Sequence, residues 1–401
     1  MIEFAILETT LPLATAGDIA VINLESARRQ SWSRLWQSPQ LPGVAEYIVE
    51  QERMTLQFLS DATALDRLDG LVERFARSHA EPTRIALIQA QVSSTKHLFS
   101  KALGYLQDAE AYGPLSPAAD RLLLSIDQAC GNNIASVLKT RRQLAAKSGR
   151  LEDLVPLGAL LADLREFEES DRVYQQAFRS YHDVSPFALA WVCFQLGALW
   201  GELVTEPQLS RAAEWYQRAI DYVPGYVKAR VHLSEIYLRD GMTKDAEALL
   251  LPVLSSVDPE VDWRLADVNI ASGDFEAGKV YLQAARAGFE CLLERHQLAF
   301  ADHGAEFYAG SGDDPQRASE LAAINLANRP TLRAFEQRYE TAVNAGQLQA
   351  ASDTLTAARI RWGSTRAFGL SSLAESEING ATTSDTDRSP IELQGAETHV
   401  D

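Results

Sequence analysis

The chain has 401 residues, 46% of them hydrophobic, with 37 basic against 55 acidic side chains and a formal net charge of −18. That balance argues against a general nucleic-acid binder, which needs a positive surface against phosphate, and against adsorption to anionic membranes. The cysteines Cys130, Cys193 and Cys291 lie far apart with no Cys-x-x-Cys pair. An odd, sparse set inside helical patterns reads as buried reduced thiols in a reducing compartment.

Residues 1–43 are expected to form a partly helical N-terminal segment. The opening MIEFAILETTLPLATAGDIAVINL is apolar, but it lacks a basic start and carries Glu3 and Glu8 where a secretory signal would bear no acid. No uninterrupted apolar run approaches the length of a membrane span, so a cytoplasmic location without membrane insertion is expected. A helix is predicted over Val21 to Trp36, ended by the proline-bearing SPQLPG at Ser38 to Gly43.

From Val44, apolar residues recur at helical spacing: Ile48, Met54, Phe58, Leu59, Leu65, Leu68, Leu71, Val72 and Phe75. Pro82 suits the first turn of a new helix, and a further helix is expected from about Ser94 to Ala111, breaking at Gly113-Pro114. Pro117 to Cys130 and Asn132 to Lys147 read as helix, turn and helix. There Gly131 can take a left-handed conformation, and Asn132 or Asn133 can cap the next start. No sustained strand alternation appears, so residues 44–150 read as divergent helical hairpins or a helical cap.

A repeat becomes legible at Leu151. Gly158, Ser170, Tyr174 and Ala177 form its first instance; Gly197, Ala212, Tyr216, Ala219 and Pro224 the second. Tyr237, Gly241 and Ala246 follow, then Gly278 and Ala285, then Ala318, Ala322 and Pro330, then Gly346, Ala351 and Ala358. The pattern resembles the tetratricopeptide repeat family, whose unit is a helix–turn–helix of about 34 residues. The resemblance implies an all-α, right-handed solenoid of about six repeats over residues 151–368.

The residues opening the second helices, Ser170, Ala212, Ala246, Gly278, Ala318 and Ala351, are all small, as close helix approach requires. Two departures stand out: a long turn over Gly201 to Ser210, and extra residues around Leu293 to Leu298. Residues 369–401 are polar, rich in Ser, Thr and acids, without apolar periodicity, and are expected to be a disordered tail.

No nucleophile elbow, phosphate loop, dinucleotide fingerprint or zinc-protease motif occurs, so neither an enzyme nor a cofactor is expected. His296, His303 and Glu306 would share a helical stripe if one helix ran through them, but they lack a tighter metal motif. The Gly310 to Pro315 loop reads as a turn with an aspartate capping the next helix.

In the resembling family the first helix of each repeat lines a concave groove. Carried over by position, that implies groove residues Trp191, Phe194 and Glu202, then Lys228, Val231, Glu235 and Arg239. Trp263, Asp267, Phe300, His303 and Phe307 would follow, while Trp200, Tyr216 and Tyr237 fall on the packing pattern. The function this implies is a non-enzymatic scaffold holding a peptide or helix of a partner protein, with no nucleic acid or small-molecule substrate. The alternative is a regulatory or assembly subunit of an enzyme complex, associating through the solenoid ends or convex face, which an exposed aromatic cluster at Trp32 and Trp36 would favour.

Overall fold

In the computed structural model, which describes residues 12–78 and 80–376, the regular elements are all helices. The first eleven residues, and the expected tail from residue 377 onward, lie outside the described residues. The N-terminal half consists of α1 (Gly17–Gln37), α2 (Val44–Leu59), α3 (Thr63–Ala76), α4 (Pro82–Thr95), α5 (Phe99–Glu110), α6 (Pro117–Ala129) and α7 (Ile134–Ser148).

The repeats follow as α8 (Leu151–Asp163) with α9 (Phe167–Arg179), α10 (Pro186–Ala198) with α11 (Leu209–Tyr222), and α12 (Val227–Arg239) with α13 (Thr243–Leu250). Then come α14 (Pro259–Ala271), α15 (Phe275–Ala309), α16 (Pro315–Asn328), α17 (Leu332–Asn344), α18 (Leu348–Trp362) and the short α19 (Arg366–Gly369).

Local chemistry sets these boundaries. Pro82 and Pro117 sit in first turns, where a missing N–H costs nothing, and the Ser116 side chain accepts from the Ala119 N–H to cap α6. Gly131 closes the α6–α7 turn at φ +61°, the left-handed conformation expected of it. Asn133 precedes α7 at φ 50°, but its side chain makes no capping bond.

The helix expected from Ser94 to Ala111 is two helices. His97, at φ 55°, reverses the chain between α4 and α5, and no glycine or proline marked the break. The extra residues near Leu293 lie in α15, where non-helical backbone at His296 (φ −140°, ψ 46°) joins two helical arms. The two arms fold back on each other as a hairpin, with Phe289 stacked on Phe307 at 4.7 Å and the Tyr308 hydroxyl donating to Glu290, so each arm belongs to its own repeat.

The repeat signature is a packing device. A Cβ on Gly158 would lie 2.7 Å from the Tyr174 ring, and one on Gly197 2.6 Å from Tyr216, so glycine lets each tyrosine lie flat on the preceding helix. Ser170, Ala212, Ala246 and Ala318 are fully buried and Ala351 nearly so. Gly278 sits against Ile270 in the same role. Tyr174 and Tyr216 are themselves buried, Trp200 with them, and Tyr237 packs half-buried at their edge. These contacts define a TPR-like helical-repeat solenoid.

Burial corrects two expectations and bears on a third. Cys130 and Cys193 are buried, but Cys291 is exposed on α15. Pro186–Leu203 has a mean hydropathy of 1.2 and is long and apolar enough to cross a membrane by length and composition, although Gln195 and Glu202 interrupt its apolar run. Its Leu189, Ala190, Val192, Cys193 and Leu196 are fully buried among neighbouring helices, the setting of a core helix. Finally, the packed structure runs past Gly369: Leu373 is fully buried beside Phe335, Trp362 and Phe368.

The N-terminal helices do not simply cap one end. Phe58 of α2 packs on Phe187 and Tyr226, at the starts of α10 and α12. Asp66 of α3 meets Arg295 and His296 at the α15 kink. The His97 carbonyl accepts from Asn328, and the Arg361 guanidinium donates to the Cys130 and Gly131 carbonyls. Arg165 then pairs with Glu336 at 2.6 Å, and Arg366 with Glu166 at 2.9 Å. The superhelix thus comes round on itself, and the concave face becomes an enclosed lumen.

Candidate functional site

The inner face begins at an irregularity. After α10 the chain makes a π-helical turn, Leu199–Leu203, which accommodates the extra residues of the long turn. That turn places Glu202 where its carboxylate accepts from the Tyr216 hydroxyl at 2.6 Å and pairs with His232 Nδ1 of α12 at 2.8 Å. Such π turns insert a residue at a cost in regularity and are frequent at functional positions.

From there, each first helix is tied to the next by ion pairs. Glu235 of α12 pairs with Arg264 of α14 at 2.5 Å, and Arg264 reaches Asp267 at 3.2 Å. Lys228 sits between Asp258 (3.3 Å) and Glu260 (2.8 Å), and Glu260 also takes His303 Nδ1 of α15 at 2.8 Å. Asp302 binds Arg329, and Glu306 faces Arg333 of α17 at 3.5 Å.

Arg333 also feels Glu202, Asp302 and Asp163. These groups come from α8, the π turn, α15 and α17, of which the Glu306–Arg333 pair joins α15 to α17 and the Arg165–Glu336 pair joins the end of α8 to α17. Asp163 is solvent-exposed yet walled in by protein, and that enclosure pushes its carboxyl up to about 6 against the pull of Arg333 and Arg329. Enclosure likewise raises Glu306, against His303 and Arg333.

The histidines behave oppositely. Burial pulls His303 down, but Asp302 and Glu260 outweigh it and hold the imidazolium up at about 9. For His232 burial is again opposed, here chiefly by Glu202, and the value is also about 9. Glu202 falls to about 2: burial raises it, and His232 and Tyr216 more than reverse that.

The expected groove residues divide. Trp191 and Phe194 lie half-buried on α10, stacked at 5.8 Å, with Phe194 edge-on to His232 at 5.3 Å. Lys228, Glu235, Asp267 and His303 belong to the ion-pair ladder, so Lys228 is a clasped cation rather than a free one. Arg239 is exposed at the C-terminal end of α12, away from that ladder.

Val231, Trp263 and Phe307 are corrections: all three are buried core. Val231 packs with Ala246 and Leu265, whereas Trp263 and Phe307 meet edge to face at 5.4 Å, with Phe300 half-buried beside them. They point between hairpins, not into the lumen. The trio His296, His303 and Glu306 is not brought together either, because the kink turns His296 toward Asp66 while His303 faces Glu260. The Gly310 to Pro315 loop is the expected turn: Asp314 caps α16 through the Arg317 N–H, and Ser311 donates to Asp267 at 2.6 Å.

His232, Arg264, Asp302, Arg329, Arg333 and Asp163 were missed. A signal existed for most of them. Polar residues recur at i, i+4 and i+7 as Lys228, His232 and Glu235, then Glu260, Arg264 and Asp267, then Arg329, Arg333 and Glu336. That stripe marks one helix face on α12, on α14 and at α17.

No protein-family model and no curated protein match the sequence. Among solved structures, a tetratricopeptide repeat protein from Parabacteroides merdae is similar at 14% identity, covering 65% of this chain and 98% of its own, with a TM-score of 0.38. Yeast Tom70 is similar at 13% identity over 92% of this chain and 86% of its own, TM-score 0.43. A monomeric mutant of IFIT1 with Gppp-AAAA is similar at 14% identity over 91% and 86%, TM-score 0.43. The placement of this chain among TPR-like helical-repeat proteins rests on its own glycine–tyrosine packing and hairpin succession.

Proposed function

We propose that this chain is a non-enzymatic, cytoplasmic interaction scaffold that holds a segment of a partner protein in its lumen. The observation that carries this reading is the continuous polar ladder on successive first helices, beside the stacked Trp191 and Phe194. Ion pairs fix the ladder in place, so a ligand meets a preorganised surface and little side-chain ordering opposes binding. The half-buried indole and phenyl supply rigid apolar contact, and Asp163, Glu306 and Arg333 supply charges open to solvent.

Site-specific photocrosslinking in native extract tests it. A crosslinker at Trp191 should capture one partner segment that a crosslinker at Ile360, 83% exposed on α18, does not. Capture only from Ile360 would remove the lumen as the site. A second reading, association through the solenoid ends, draws on Trp36, which is 61% exposed on the terminal helix α1.

A further inference from the structure

Helix α1 packs on α2 and, through Ala20 and Leu24, against the α10–α11 core, and its remaining free face is chemically distinctive in an acidic chain. Between Glu25 and Glu46 the sequence has no acid but holds Arg28, Arg29 and Arg34. Arg28, Arg29, Trp32 and Trp36 line a shallow surface cleft of ≈ 430 Å³ along that face. Trp36 is 61% exposed, and the Arg74 guanidinium of α3 stacks over its ring at 3.9 Å.

The Arg28 contact to Glu52 is a loose 3.5 Å, and the Arg28 side chain keeps 17% of its surface exposed. Glu52 itself is saturated by Arg67 and by Trp32 Nε1 at 2.7 Å, so it has little left to offer Arg28. The Arg28 and Arg29 guanidinium groups beside the exposed Trp36 indole fit a carboxylate carried next to an apolar side chain.

We infer that the Arg28–Arg29–Trp36 face of α1 docks an acidic peptide segment of a partner protein, with an apolar side chain against Trp36. This rests on the end-association reading and is separate from the lumen. Exposed Arg29, paired on the surface only with Glu25 at 3.1 Å, supplies steering charge; Trp36 supplies contact area.

The probe is a short dye-labelled peptide of Asp and Glu with one central Leu, titrated into the full chain and followed by fluorescence anisotropy. Saturable binding that weakens with salt is expected, together with a loss of about tenfold in Trp36→Ala and in Arg29→Glu. The matched Asn/Gln peptide should not bind. Arg29→Glu alters a surface side chain only, so a folded variant is available should Trp36→Ala destabilise the Arg74 stack; urea midpoints check both. No saturable binding, parental affinity in both variants, equal binding of the neutral peptide, or tighter binding of a single-stranded RNA of similar length would each overturn the proposal. Crosslinking from Trp191 is unaffected by either variant, so failure here and failure of the lumen reading are distinguishable.

Discussion

Gly131 lies against the indole of Trp362, more than two hundred residues later in the sequence, where a Cβ would stand 2.8 Å from the ring and 3.1 Å from the Pro330 carbonyl oxygen. Trp362 Nε1 also donates to that same carbonyl, at 3.2 Å. The contact helps close the superhelix, since it joins the α6–α7 turn to the end of α18.

Gly131→Ala should therefore cost more than the backbone alone explains. Gly149 has the same φ of +61° with nothing within 4 Å of a would-be Cβ, so Gly149→Ala measures the conformational penalty by itself. Gly131→Ala is expected to lose about 1–3 kcal/mol more, as overpacking against Trp362. Urea unfolding of the two variants reads the difference. Equal losses would show that the two halves part easily.

Within the repeats, Ala246 is fully buried where α13 crosses α12. Ala246→Leu forces extra carbons into a filled site and should destabilise by about 1–3 kcal/mol. Replacing Arg239 with Glu, on the exposed end of α12, should leave the urea midpoint unchanged. A parental midpoint for Ala246→Leu would mean that this hairpin packs in another register.

Much of this architecture was legible from Leu151 onward because its constraints are local. Gly158 with Tyr174, and Gly197 with Tyr216, sit at fixed spacings that mean one thing sterically. What was not legible depended on distant partners. Nothing near Asp163 announces that Arg333 will face it, and nothing in the α4–α5 region shows His97 stacking on Phe99 with its Nδ1 3.2 Å from the Leu298 carbonyl oxygen. Trp263 and Phe307 misled for a related reason. Helical position puts a residue on the first helix, but which edge of that helix meets its neighbour is set by the kink at His296, and a regular repeat gives no hint of it.

The N-terminal hairpins hinge on Glu52, a fully buried carboxylate that accepts from Trp32 Nε1 and from Arg67 Nε (2.8 Å) and Nη2 (2.7 Å). Breaking a buried pair leaves a cation uncompensated, so Glu52→Ala should lose about 3–5 kcal/mol. Glu52→Gln keeps an acceptor for Trp32 and should lose less. Urea titration followed by tryptophan emission ranks the two; a larger loss for Gln would mean that the charge is not what α1, α2 and α3 share.

Stability should peak near the ordinary histidine value of 6.5, for opposing reasons. Burial, with Arg329 adding to it, lowers His97 to about 4, so its contribution is full above pH 6.5 and fades as pH falls through 4. His232 and His303 are held up at about 9, so theirs is full below 6.5 and fades as pH rises through 9. The groups facing His232 are Glu202, Glu235 and Glu260; those facing His303 are Asp302, Glu260 and Lys228. In the double variant His232→Gln, His303→Gln, the urea midpoint should drop below that of the parent at pH 6 and change little between pH 6.5 and 9. A parent whose midpoint is flat across that alkaline range, or a double variant that still loses stability through it, would show that these two imidazolium–carboxylate clusters do not hold the lumen wall together.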